Sequence, residues 1–370
     1  MLLKKEGLTM KGKYSAVVGF YNSGSSAVID LLREYKEVYI ATKANGEYEH
    51  VAFYYPGSLF DAFELLKNNC NPYNCDRIIN NFISSNRILN KNYFGWYGSY
   101  KKYYGKEYQK ICNSFVDGVS RKRLFKNNTH IKRSRFSPVK FCLQIIDSMI
   151  RKRQHPYLGI MYIEDSNSSY YSMPNYSTLL NSGRGFVNDY LEMCSLEGKV
   201  NVFDHLIWPQ QLHYLDELFP SGFKAIVVDR DPRDLFLINK YKDKIPFYST
   251  DVESFISEYK QARERIKCVS DNKVLFLNFE DLIYDYENTV KKIEFFLNIK
   301  SNSHDKSVCY FDPCLSIENT QLFNVCEEWK EEVSLIEKEL RGSLYNFPFK
   351  RKPNLKLSFD YSVGKKRNNL

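Results

Sequence analysis

GFYNSGSSAVIDLL, residues 19–32, carries the clearest structural signal in this chain. Gly19 and Gly24 have the G-x-x-x-x-G spacing of a phosphate-binding loop, yet Ser25 stands where such a loop carries lysine. Before it, Tyr14–Phe20 (YSAVVGF) is a short apolar run. After it come the small polar Asn22, Ser23, Gly24, Ser25 and Ser26, then Ala27, Val28, Leu31, Leu32 and Tyr35 at i, i+1, i+4, i+5 and i+8. The pattern reads strand, tight loop, helix. A loop of this kind aims backbone N–H groups and a helix N-terminus at one point, and serine hydroxyls add donors, so it can hold a phosphate or sulfate ester without a formal cation. The same residues also fit an ordinary strand-to-helix turn capped by serine.

Further along, the alternation of strand and helix signals continues. KVNVF (199–203), KAIVV (224–228) and KVLFLNF (273–279) read as strands, and ENTVKKIEFFLNI (287–299) as a helix whose Val290, Ile293, Phe296 and Leu297 share a face. KFCLQIIDSMI (140–150) suits a buried helix and YLGIMYI (157–163) a strand, whereas 60–110, rich in Asn and Tyr, reads as an irregular helical region. The expected fold is α/β: three α/β/α layers on a mostly parallel sheet, a phosphate-binding loop like that of the P-loop folds, and a helical insertion at about 60–155. Ligands in such folds gather at the carboxyl edge of the strands. Three polar clusters fall there: Asp204-His205, Asp229-Arg230-Asp231-Pro232-Arg233-Asp234, and Phe279-Glu280-Asp281-Leu282.

Composition limits the function classes. With 370 residues, 43% hydrophobic and 16% aromatic, the chain can bury a large core as one elaborated domain or two. No apolar run approaches the roughly 18–20 residues of a membrane span, and MLLKKEGLTMKGKYSA lacks the apolar segment of a secretory signal, so a cytoplasmic location is expected. The nine cysteines form an odd, scattered set; Cys70 and Cys75 lack a second pair at metal-binding spacing, and no metal is expected. The net charge of +9 is concentrated. Arg121, Lys122, Arg123, Lys126, Lys132, Arg133 and Arg135 fall in an acid-free run, and the tail from Arg341 carries eight basic residues against Asp360 alone. Such segments attract polyanions: anionic sugar chains, nucleotides or membrane surfaces, including peripheral contact with a membrane. Nucleic acid is not the expected partner, because no nucleic-acid-binding motif accompanies the charge.

Taken in order, these stretches resemble the sulfotransferases that use 3′-phosphoadenosine 5′-phosphosulfate (PAPS), of the bacterial, carbohydrate-modifying type. The family's YPKSGTTW loop, its R-x-P/A-x-D turn and its Y-E-D-L strand end appear here as FYNSGSSA, VVDRDPRD and LNFEDL. An H-L-x-x-x-L-P-like segment appears as HLIWPQQL, and a C-terminal S-x-x-N as Ser316-Ile317-Glu318-Asn319. The resemblance runs from about Tyr14 to Leu340, with no clear match over 36–198. It implies a sulfotransferase domain at 14–345 followed by a basic tail, 346–370.

The resemblance also implies roles. Asn22, Ser23, Gly24, Ser25, Ser26 and Ala27 would hold the 5′-phosphosulfate, with no metal required, and Arg230 would grip the 3′-phosphate as a permanently charged fork. Phe279 would lie against adenine. The family's serine eight residues after the arginine is Ile238 here, so Asn239, or Ser316 and Asn319, would substitute. His205 would act as general base, with Asp204 orienting it or serving as base itself. The family's loop lysine is replaced by Asn22, which leaves the charge on the leaving oxygen to the loop amides, Ser25, Ser26 or a basic residue from elsewhere.

The expected reaction is sulfuryl transfer from PAPS to a hydroxyl of a carbohydrate or glycoside, with anionic chains suited to the basic run and to the aromatic-rich stretch 93–108. Those aromatics equally suit the core of a helical subdomain. Two other readings stand beside this one. A P-loop kinase or NTPase would use the Asp of VVDRD for Mg2+, and a non-catalytic relative would bind nucleotide or polyanion without turnover.

Overall fold

The computed structural model describes residues 12–42, 50–69, 71–91, 99–124, 168–171, 173–242, 246–266, 270, 272–325 and 327–354. In chain order the main elements are β1 (Lys13–Gly19), α1 (Ser25–Leu32), β2 (Val38–Ile40), α2 (Leu59–Lys67), α3 (Pro72–Lys91), α4 (Tyr100–Tyr104) and α5 (Glu107–Val119). There follow β3 (Arg121–Leu124), β4 (Ser168–Tyr171), α6 (Tyr176–Cys194), β5 (Val200–Asp204), α7 (Tyr214–Glu217), β6 (Lys224–Asp229), α8 (Pro232–Tyr241) and α9 (Val252–Glu264). The chain closes with β7 (Val274–Asn278), α10 (Asp281–Tyr284), α11 (Tyr286–Leu297), α12 (Pro313–Ser316) and α13 (Lys330–Glu339).

Five strands form one sheet in the order β2-β5-β1-β6-β7, and all four of its pairings are parallel. The chain leaves β1 toward β2 on one side and returns to build β6 and β7 on the other, so β1 sits at the switch point where α/β sheets bind ligands. Its side chains alternate between two cores. Ala16 and Val18 join Phe203, Ala225 and Val227 in one apolar cluster, which α2 to α6 cover; Val17 joins Val202, Ile226 and Val228 in the other, which α1 and α11 cover. Burial on both faces is why these strands read as continuous apolar runs rather than as alternating ones.

The expectation of an α/β fold with a mostly parallel sheet flanked by helices is met. The stretch expected to be irregularly helical is instead regular: α3 runs for 20 residues, and α5 buries Ile111, Cys112, Phe115, Val116 and Val119. Its Asn and Tyr obscure the period because they are core residues with polar ends. Tyr108 donates to Asn86 Oδ1, Tyr100 accepts from the Ala52 amide at 3.2 Å, and the hydroxyl of Tyr190 in α6 bonds His50 Nδ1 at 3.0 Å, so burial leaves these groups satisfied. Of the 93–108 aromatics, Tyr100, Tyr104 and Tyr108 are buried in that core. Of the basic run 121–135 only 121–124 is described, as β3 paired antiparallel with β4. The segments 140–150 and 157–163, residues 93–98 and the tail beyond 354 lie outside the described residues.

Candidate functional site

The turn after β1 is forced by its residues. Asn22 (φ 59°) and Gly24 (φ 88°) are both left-handed, a region that asparagine tolerates better than other side-chain-bearing residues and glycine enters freely. A Cβ on Gly24 would lie 2.5 Å from Cδ2 of Phe279, so the ring covers the turn only because no side chain stands there. The Ser23 amide closes the turn on the Phe20 carbonyl at 3.0 Å, and the Ala27 amide bonds the Gly24 carbonyl at 3.0 Å. The amides of Ser25 and Ser26 open α1 and have no carbonyl of the helix to bond. Ser23 and Ser25 are buried, Ser26 is exposed and Ala27 half-buried.

Beside this turn, β5 ends in Asp204, and His205 follows it. The His205 amide bonds the Val17 carbonyl at 3.0 Å, and the residue then turns left-handed (φ 49°), which places its ring over the loop. Nδ1 lies 2.8 Å from Asp204 Oδ1 and Nε2 lies 3.4 Å from Ser25 Oγ. An ionised carboxylate only accepts, so Nδ1 carries a proton, and in the neutral imidazole Nε2 turns its lone pair toward the serine hydroxyl. Asp204 (4% exposed) and His205 (9%) are buried, and the ring of Trp208 stands edge-on to His205 at 5.8 Å.

On the other side of the turn, β6 delivers Arg230, 6% exposed. Its Nη1 donates to the Asn22 carbonyl at 3.3 Å and its Nη2 to the Asn319 carbonyl, while the guanidinium carbon sits 4.6 Å from the centre of the Phe279 ring. Its Nε is buried and has no hydrogen-bond partner among the described residues. Ser316 ends α12 nearby in sequence and is half-buried. Asn22, Arg230, Phe279 and Asn319 are thus brought together, and Ser25, Asp204 and His205 form a second group on the same loop. Asn239 stands apart: its carboxamide donates to the carbonyls of Tyr248 and Ser249 at 2.9 and 3.3 Å and accepts from the Tyr248 amide, pinning the segment after α8.

The sequence reading did not single out Glu280 or Asp234. Both are fully buried next to Arg230, and burial pushes the Glu280 carboxyl up to about 8, with Arg230 pulling it down and Asp231 and Asp234 raising it. Burial, followed by the nearby Asp231, likewise raises Asp234, whose carboxylate accepts from the Gln321 and Leu322 amides at 2.7 Å each. Their signal in sequence was an acid directly after an apolar strand or in a first helical turn, which marks a cap as readily as a buried acid. Asp231 does cap α8, accepting from the Arg233 amide at 2.9 Å.

Among the described residues, no group of three or more His, Cys, Asp or Glu is placed to hold a metal ion, and no helix is long and apolar enough to cross a membrane. No family model matches the chain, and no curated protein matches it. Among solved structures, a sulfotransferase from Mycobacterium avium aligns over 93% of this chain and 79% of its own, at 8% identity and a TM-score of 0.34, a likeness too low to carry a conclusion about fold or activity.

Proposed function

We propose that the unit spanning 14–345 is a PAPS-dependent sulfotransferase that transfers the sulfuryl group to a carbohydrate hydroxyl. The observation that carries this reading is the surroundings of Arg230. Its guanidinium touches Asn22, Phe279 and Asn319, three residues from three separately recognised stretches, and keeps one buried N–H without a partner among the described residues. A buried, unsatisfied guanidinium N–H beside open loop amides favours an oxyanion. The ligand's 3′-phosphate would meet Arg230, and its 5′-phosphosulfate the amides of Ser25 and Ser26, in the manner of a P-loop without its lysine.

The loop and the dyad divide the chemistry. The acceptor oxygen attacks sulfur while His205 Nε2 takes its proton, directly or through the Ser25 hydroxyl that already faces this nitrogen. Asp204 steadies the imidazolium that forms. As the bond from sulfur to the bridging oxygen breaks, the negative charge growing on the 5′-phosphate meets the α1 N-terminus. Asn22 brings no charge, so the loop amides carry what a lysine would otherwise share. The kinase reading has less support: Asp229, which it would assign to Mg2+, is held through both oxygens by Arg263.

The test is calorimetric titration, without metal, with adenosine 3′,5′-bisphosphate, 5′-AMP and ATP, followed by transfer from labelled PAPS to a panel of glycans. Selective binding of the bisphosphate and label on a glycan are expected. Binding of ATP alone, or only with Mg2+, would overturn the reading.

A further inference from the structure

The turn that carries Arg230 rests on an acid to which the proposed function gives no part. Glu280 follows the ring that lies against the guanidinium, is fully buried, and accepts the Asp231 amide on Oε1 at 3.0 Å, so it fixes the backbone directly after Arg230. Its Oε2 is buried without a hydrogen-bond partner among the described residues, as is Arg230 Nε. Two buried polar atoms of one cluster without partners among the described residues are costly unless something that arrives later completes them. We infer that Glu280 is the positioning residue of Arg230, and that an oxyanion binding at Arg230 takes up a proton at the Glu280–Asp234 carboxyls. The inference rests on Arg230 being the anion site.

The sign follows from the charges that face Glu280. Arg230 is the cation that favours its carboxylate; Asp231 and Asp234 disfavour it, and Tyr345, from the C-terminal segment, senses its charge. Arg233 is occupied by Asp231 and Glu337 and cannot replace Arg230. The Asp231 amide favours the Glu280 carboxylate as well, but an anion on Arg230 offsets the field of the guanidinium, so the carboxyls hold protons more tightly in the complex than in the free protein. Ligand binding and proton uptake are then linked: above the range where Glu280 titrates, affinity falls with pH by at most about tenfold per unit for each proton taken up. A protonated Glu280 also has an O–H to give, where a carboxylate would repel the ligand.

The experiment is calorimetry with adenosine 3′,5′-bisphosphate between pH 7.5 and 9.5, as approximate limits, where its phosphates no longer titrate, in two buffers of unlike ionisation enthalpy. For the wild-type chain, binding enthalpy should differ between buffers by a positive proton count and affinity should fall with pH. Glu280→Gln keeps an oxygen for the Asp231 amide and fixes the neutral form, so it should bind with most of that slope removed. Asp234→Asn, measured in parallel, should retain the Glu280 share. Buffer-independent enthalpy in the wild type, or an unchanged slope in Glu280→Gln, overturns the inference while leaving the nucleotide reading standing. Absence of bisphosphate binding at every pH overturns that reading, and the inference with it.

Discussion

Asn22 and Gly24 shape the loop by backbone, and the proposed function assigns its chemistry to His205 and Arg230. At Gly24 a methyl group would meet both a left-handed φ and the Phe279 ring at 2.5 Å, so Gly24→Ala should lower stability by about 1–3 kcal/mol, read from urea unfolding. An unchanged midpoint would mean that the ring does not close over the turn. Arg230→Ala removes a charge-assisted grip and should weaken bisphosphate binding about 10- to 100-fold by calorimetry. In the proposed mechanism His205→Ala removes the proton acceptor: bisphosphate affinity should hold while transfer from labelled PAPS falls by about 10²–10⁴. Unchanged turnover in that variant would remove His205 from the base role.

At the scale of elements, α1 is anchored at both ends. Its N-terminus faces the site, and beyond its C-terminus the fully buried Glu34 accepts from the amides of Val308, Tyr310 and Phe311 at 3.2, 2.8 and 3.0 Å and bonds His304 Nε2 at 2.8 Å. One side chain thus holds the segment leading to α12 and Asn319 against the helix that presents the loop. Glu34→Ala would remove the shared acceptor of three amides and the partner of His304 and should cost about 3 kcal/mol, with Glu34→Gln costing less because one oxygen remains. Urea unfolding of the two variants checks the order. β1, α1, β5, β6, β7 and α11 were legible in sequence to within a residue or two because their burial is periodic and their ends carry turn chemistry. α3 and α5 were not, since Asn86, Tyr100 and Tyr108 count as polar in any local pattern and become core only when distant partners satisfy them.

For the whole molecule, the cluster around Arg230 ties stability to pH. The carboxyl of Glu280 titrates near 4.3 in an unfolded chain and at about 8 when buried. The folded state therefore holds this proton more tightly, and its stabilising effect, complete below about 4, is lost as pH rises through about 8. Glu280→Gln has no such loss, so its stability relative to wild type should rise between pH 5 and pH 8 by about 1 kcal/mol or more, measured by urea unfolding at several pH values. A constant difference would show that the carboxyl is not neutral in the fold. By itself the sequence determined β1, β5, β6 and β7, the helices α1 and α11, the loop and the strand-end places of Ser25, His205 and Arg230, because apolar period and turn residues act over a few positions. Only the tertiary structure decided that Arg230 meets Asn22, Phe279 and Asn319, that Asn239 turns away, and that Glu280 and Asp234 are buried beside one guanidinium. Those outcomes depend on the order β5-β1-β6-β7, which brings residues up to about three hundred positions apart to one edge, and a local pattern carries no record of its distant neighbours' charge.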